Sequence, residues 1–453
     1  MVEKRNGARL SIQLTTDQAL ALAPDASSAA AGKKLGNAKS WKKPGQNSEA
    51  LWGECQGSAL YQVKVDLSTL TIHCSCPSRK LPCKHGIGLL LLAVNTPPAV
   101  PTCEPPEWVA TWLARRQATS KRRETKEAAG VQKTSEASSA AQLKRAERRL
   151  ELVTRGLERL DLWLNDLVRN GLASVETQPA TFWENLAAQM VDAQAPGVAT
   201  RIRHLASIPN SSPDWPEKLL AQLGRLALLT EAFRQGEQLE PALREDVRQL
   251  IGWTLDQEEV AARGERVADK WLILGQRCYE EEFRQQKTQR TWLLGTQTGR
   301  TALLLQFSVA RTPFLEVFPL GMCQDAEVVF WPSAYPQRGR IEARRGELTA
   351  IQGALPGVIA AEAFLADVAT ALARQPWLER FLCTLQNIIP ICDTAGNQWD
   401  IRDSGGATLP LAKGDHWQLL ALSGGAPVDF AGEWDGEALL PLGVMVNGTY
   451  HLL

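Results

Sequence analysis

Cys74-Ser75-Cys76-Pro77-Ser78-Arg79-Lys80-Leu81-Pro82-Cys83-Lys84-His85 sets three thiols and one imidazole within twelve residues, as a C-x-C pair and a C-x-H pair six residues apart. Thiolate sulfur and imidazole nitrogen are the donors Zn2+ favours, and structural zinc sites fill all four tetrahedral positions with protein. Cys74, Cys76, Cys83 and His85 are therefore read as the ligands of one Zn2+ ion. Pro77 helps impose the kink that lets two sulfurs on neighbouring residues bend toward one metal. Three thiolates leave such a site net negative, and Arg79, Lys80 and Lys84 around it lower the cost of deprotonating sulfur. His73 and Cys55 are spare donors; His73, adjacent to Cys74 on a strand, points to the opposite face and is given no ligand role.

Upstream, Tyr61, Val63 and Val65 alternate with Gln62, Lys64 and Asp66, and Leu70 to Cys74 follows a turn-like Asp66-Leu-Ser-Thr69. Period two predicts an antiparallel hairpin that delivers Cys74 and Cys76 at its exit. Downstream, His85-Gly-Ile-Gly-Leu-Leu-Leu-Leu-Ala-Val94 is too apolar for a surface helix, and Asn95 with Pro97-Pro98 stops it. The expected unit is a ββα zinc module over 51–98, small enough that metal substitutes for missing core. Residues 1–50 read as an N-terminal segment with a basic flexible connector, in which Trp41 is an isolated aromatic.

Residues 99–142 read as a Trp-bearing helix followed by a basic, Ala/Ser-rich linker, loosely helical or disordered. From Leu143 the residues Ala146, Leu150, Val153, Leu157, Leu160, Leu164 and Leu167 step by threes and fours, ending at Asn170-Gly171. That is a long helix, in a bundle rather than a dimeric coiled coil because Leu162, Trp163 and Val168 widen the stripe. With helices expected at Pro179–Gln194, Trp215–Arg234 and Pro241–Trp253, residues 143–255 form an all-α region. Residues 256–453 read as a β-rich domain: Trp271-Leu-Ile-Leu, Thr291-Trp-Leu-Leu, Thr301 to Phe307 and Glu327 to Trp331 are strand-like, as are Ile388–Cys392, Trp399–Ile401, Trp417–Leu422 and Leu439–Met445. A helical pair, Ala360–Arg374 and Trp377–Leu385, interrupts them. The fold class is thus α+β: a small zinc module, a central helical region and an antiparallel β-rich C-terminal part.

The 453 residues carry equal acid and base, but residues 1–150 hold 23 Lys+Arg against 12 Asp+Glu and the remainder is correspondingly acidic. That asymmetry suits either a polyanion-binding front end or docking between the two parts. Nine Cys without a disulfide-like framework fit a reducing cytosol. Leu10 to Pro24 is no signal peptide and Ile87 to Val94 is too short to span a bilayer, so the expectation is a cytoplasmic chain with no membrane partner.

At Gly57-Ser58, Tyr61-x-Val63-x-Val65-Asp66, Cys74-Ser-Cys76-Pro77-Ser-Arg79-Lys80 and Cys83-Lys-His85 with its Leu-rich helix, the chain resembles the SWIM zinc-finger family, whose motif is C-x-C, a variable gap, then C-x-H. Leu160-Asp-Leu-Trp163-Leu-Asn-Asp166 and Phe182-Trp183-Glu through Val191-Asp-Ala-Gln-Ala-Pro-Gly197 also look like bacterial SWIM-domain proteins, on less specific residues. In that family the module occurs in helicase-like chromatin ATPases, plant transposases and a kinase implicated in ubiquitin transfer, which implies DNA or protein binding. The bacterial layout implies a component of an assembly with MoxR-type AAA ATPases and von Willebrand A proteins.

No catalytic motif is found. Gly32-Lys33-Lys34 lacks the rest of a phosphate loop, and His73-Cys-Ser with Pro82-Cys83-Lys84-His85 departs from the zinc deaminase pattern. A filled Cys3His set also leaves no open position for catalysis. His204, His416 and His451 are isolated, and acidic runs such as Glu280-Glu281-Glu282 read as solvated faces. The expectation is a non-enzymatic, zinc-binding adaptor for a protein partner. The alternative is DNA binding through Arg79, Lys80 and Lys84, extended by Lys33, Lys34, Lys39, Lys42 and Lys43 before the module and by Arg115, Arg116, Lys121, Arg122 and Arg123 after it.

Overall fold

The structure is a computed structural model that describes residues 16–23, 26–57, 59–67, 72–78, 82–114, 136–281, 286–309, 314, 316–393 and 398–453. Arg79, Lys80 and most of the basic linker, including Arg115 to Arg123, lie outside the described residues. No helix among those described is long and apolar enough to cross a membrane.

The first part comprises α1 (Thr16–Ala21), α2 (Ala26–Leu35), β1 (Trp41–Gln46), β2 (Ala50–Gln56), β3 (Leu60–Asp66), β4 (Ile72–Cys74), α3 (Lys84–Asn95) and α4 (residues 107–114). The four strands form one antiparallel sheet in sequence order. The alternation at Tyr61, Val63 and Val65 does bury one face, and Val63 and Val65 share a core with the Leu89–Leu92 run of α3. The flexible-connector reading of residues 24–50 is corrected: α2 and β1 occupy it, and Trp41 is buried in the module core. The small residues that looked like linker composition serve close helix packing. A Cβ on Gly88 would stand 2.6 Å from Leu35 Cβ, and one on Gly32 2.6 Å from Ile87 Cγ2. Trp41 is then fixed by its indole N–H, which donates to the Leu35 carbonyl at 2.8 Å.

The helical region runs through α5 (Glu136–Asn170), α6 (Ala180–Asp192), α7 (Pro196–Leu205), α8 (Trp215–Arg234), α9 (Pro241–Ile251) and α10 (Gln257–Arg263). Val153, Leu157, Leu160, Leu164 and Leu167 of the seam enter one core with Trp183, Ile202 and Leu226, so the seam belongs to a bundle. Leu150 of the seam is exposed, and of the three residues expected to widen the stripe Trp163 packs against the core while Leu162 and Val168 face solvent.

The C-terminal part begins with a closed barrel, β5 (Arg266–Glu281), β6 (Gln286–Gly295), β7 (Thr301–Val309), β9 (Arg338–Ala350) and β8 (Met322–Phe330), in that spatial order. Only the β7–β9 pairing in it is parallel. Trp271 and Ile273 pack into one apolar cluster with Phe330, while Leu272 and Leu274 pack into another with Leu442 and Tyr450. Both faces of this strand are covered, which is why Trp271-Leu-Ile-Leu shows no alternation. Against the barrel lies a six-stranded antiparallel sheet, β12 (Thr408–Pro410), β11 (Trp399–Arg402), β10 (Phe381–Cys392), β13 (Val428–Trp434), β14 (Leu439–Val446) and β15 (Thr449–Leu452). α11 (Ala361–Arg374) and α12 (Trp417–Ser423) contribute to the core on its other side.

Two local readings here are corrected. Trp377 to Leu385 is not the second helix: Gln375 caps α11, and Phe381-Leu-Cys-Thr-Leu385 opens β10 with β-compatible residues in the sheet core. Trp417 to Leu422 is not a strand but α12. Gln-Leu-Leu-Ala-Leu carries no β-branched residue, and Gly424 ends the helix in the left-handed region at φ 59°.

Candidate metal centre

Cys74 is the last residue of β4, held opposite Val63 of β3. Just beyond it the Ser75 N–H donates to the Gln62 carbonyl at 3.0 Å, and the Gln62 N–H to the Ser75 hydroxyl at 2.9 Å. This double tie fixes the strand exit from which Cys76 turns back. Cys83 occupies the N-cap of α3 in extended conformation, and its carbonyl accepts from the Ile87 N–H at 3.2 Å. His85 lies in the first helical turn, buried, with its ring 5.0 Å from that of Tyr61.

These elements bring the four side chains together: their donor atoms all lie within 4.8 Å of one another. His85 Nδ1 stands 3.8 Å from Cys74 Sγ and 3.9 Å from Cys83 Sγ. A tetrahedron with Zn–S about 2.3 Å and Zn–N about 2.0 Å has edges of about 3.5–3.8 Å. The set therefore fits a four-coordinate, soft-donor metal with Nδ1 as the imidazole ligand, and Zn2+ suits that donor set. Cys83 and His85 are buried while Cys74 and Cys76 are half-buried, so the cluster sits at the edge of the module core.

The electrostatics prepare the site unequally. A hydrogen bond from Cys74 draws the Cys83 thiol down to about 4 against the effect of burial, helped by His85 and the Gly86 N–H. Cys74 is pushed up, first by that shared hydrogen bond and then by burial; burial also raises Cys76. Cys83 stands at the helix N-terminus, where the dipole favours a thiolate. The other two thiols must lose protons as a metal enters.

The spare donors stay outside the cluster. His73 lies edge-on to Trp112 of α4 at 5.5 Å, on the other face of the sheet, and Cys55 is buried in the module core. Of the nucleic-acid candidates, Lys84 is exposed at the start of α3, beside Gly32 of α2. Lys33, Lys34, Lys39, Lys42 and Lys43 are exposed as well. Sequence reasoning missed Tyr61 as a ring support for His85; it registered only as a strand residue, because the aromatic contact bridges 24 positions. Among the described residues, this is the one grouping of three or more His, Cys, Asp or Glu side chains able to hold a metal.

Comparison with known families agrees with this geometry. Residues 61–93 match the SWIM zinc finger, and residues 148–251 match the SWIM-associated four-helix bundle domain. No curated protein and no solved structure matches the chain.

Proposed function

We propose that this chain, which carries a SWIM zinc finger followed by its associated helical bundle, is a non-catalytic adaptor whose metal is structural and whose bundle receives a protein partner. The observation that carries this reading is the outer surface of α8. Leu220 and Leu228 are exposed there, with Gly224 midway between them and nothing within 4 Å of where its Cβ would be. Residues at i, i+4 and i+8 share a helix face, and a glycine between two leucines leaves a notch that another helix can enter. The family context supports a MoxR-type AAA ATPase assembly with von Willebrand A proteins as the partner class, in a reducing cytosol where thiolates remain available to zinc.

The test is co-elution of the purified, zinc-loaded chain with such an ATPase. Leu220→Asp/Leu228→Asp is expected to abolish the complex while zinc content and helicity remain unchanged. A complex that survives both substitutions sinks the proposal for this face.

DNA binding remains the second reading, favoured by the exposed lysines on α2, β1 and the start of α3. It requires log affinity of the full chain for random duplex DNA to fall linearly with log salt, with a slope that shrinks when Lys33, Lys34 and Lys84 become Gln. A flat salt response removes it.

A further inference from the structure

Far from the metal ligands, a cavity of about 180 Å3 lies where α7 and α8 of the bundle meet the segment between α11 and β10. Arg201, His204, Gln222 and Arg225 line it, with Leu205 and Leu226 beneath and Trp377 as one wall. The wall is fixed: the Trp377 indole N–H donates to the Arg225 carbonyl at 3.0 Å, and its backbone N–H to the Gln375 side chain at 2.8 Å.

The charges in this cavity are unbalanced. Glu379 is the carboxylate in the lining, and it stands 4.0 Å from the Arg201 guanidinium, beyond hydrogen-bond reach, with 57% of its side chain exposed. Two residues along α7, Arg203 by contrast grips Glu184 through two hydrogen bonds of 2.8 and 2.7 Å. A structural arginine is normally satisfied in that manner. Burial pulls Arg201 below its ordinary range; Glu379 opposes this and Arg225 adds to it. Two arginines and two further polar side chains thus line a space in which Glu379, half exposed and at 4.0 Å from Arg201, is the one carboxylate among the described lining residues.

We propose that this cavity binds a small oxyanion of the phosphate class, gripped by the Arg201 and Arg225 guanidinium forks with His204 and Gln222 as further donors. Its volume is below the ~300–1,000 Å3 of sites for drug-sized ligands and suits a single phosphate group. An ion held there contacts both the bundle and the C-terminal part, and so strengthens the junction between them.

Calorimetric titration of the zinc-loaded full chain with inorganic phosphate, at ionic strength fixed with sodium chloride, is expected to give one saturable site. Arg201→Gln and Arg225→Gln should each weaken binding by about tenfold or more, as loss of a charge-assisted contact does. Glu379→Gln removes the opposing carboxylate and should tighten it severalfold. Phosphate heats no different from those of added chloride, or binding indifferent to the arginine substitutions, overturn the proposal. So does weaker binding in Glu379→Gln, a variant that keeps both arginines and guards against misfolding of the others. A parallel titration with phosphoserine separates the sources: preference for inorganic phosphate assigns the free ion, preference for the monoester a phosphorylated side chain.

Discussion

The metal module and the C-terminal barrel-and-sheet unit solve the same problem with opposite means. In the module, four donors from one twelve-residue stretch close a corner that apolar packing does not reach; the packing itself lies along Leu89–Leu92 and Trp41. In the C-terminal unit, apolar clusters are joined across the barrel–sheet boundary by a buried carboxylate. Glu433 of β13, only 1% exposed, accepts from the Arg290 guanidinium and the Trp292 indole of β6, each at 2.7 Å. One region gathers donors for a ligand from outside; the other depends on an internal charge that folding must bury. The consequences of breaking each should therefore differ in kind as well as size.

The largest effect is expected at the metal. Cys83→Ser removes one of the four donors, and structural zinc contributes on the order of 10 kcal/mol in modules of this kind. Metal stoichiometry by mass spectrometry should fall to near zero, and amide exchange should accelerate at Ile72–Cys74 and at Lys84–Gly86. Because α2 packs closely on α3, protection at Ile87–Ala93 should decline less, and the β-rich unit should unfold at an unchanged temperature. Uniform loosening of the whole chain would show that the two regions are not separable.

Glu433→Ala should cost about 3–5 kcal/mol, since it leaves Arg290 without its partner at a buried boundary. Denaturant unfolding of the β-rich unit measures this, and zinc content should be untouched. Glu433→Gln, which retains acceptor and shape, should cost less. If alanine proved as mild as glutamine, the pair would contribute little to the junction.

The same contrast explains what was legible in the chain. Cys74, Cys76, Cys83 and His85 could be read because their chemistry is specific and their spacing local. The bundle seam was legible through its three-and-four stepping, although Leu162 was assigned inward and is 67% exposed. The closed barrel was not legible: its register joins strands such as β5 and β8, whose partners Arg266 and Val329 lie 63 residues apart. Glu433 carries no local signal in the sequence, because its partner Arg290 is 143 positions upstream. Trp41 was misplaced for a related reason. Its alanine- and glycine-rich surroundings have linker composition, yet small residues are what a tight helix–helix approach demands.

A third, smaller effect lies where the bundle touches the barrel. Asp246 of α9 is buried and accepts from the Ala334 N–H at 2.8 Å. Burial raises its pKa to about 6, with Ala334, Ser333 and Gln375 partly offsetting this. Between about pH 4 and 6 the folded chain holds a proton there that the unfolded chain has released. Stability contributed by this site should therefore fall as pH rises through that window, by on the order of 3 kcal/mol, and level off above it. Asp246→Asn should flatten the dependence in urea unfolding between pH 4 and 7. An unaltered pH profile would assign the dependence to other carboxylates.

The smallest effect tests whether α4 belongs to the module. Lys64 of β3 places its ammonium 5.1 Å from the Trp112 ring centroid and 5.9 Å from that of Trp108. His73 meets Trp112 from the neighbouring strand, and Val109 and Leu113 pack beneath on Trp52. Cation–π contacts at such partly exposed positions contribute about 0.5–1 kcal/mol. Lys64→Met keeps the aliphatic stem and removes the charge, so its cost should stay within that range and diminish little with salt. Trp112→Ala removes the ring contacts of both Lys64 and His73 and should cost more. Its effect should appear as faster exchange in β3 and β4 with full zinc occupancy retained, because the metal lies on the opposite face of the sheet from Trp112. Loss of zinc in Trp112→Ala would instead make α4 a support for the metal corner, and would join two faces of the sheet that the structure keeps apart.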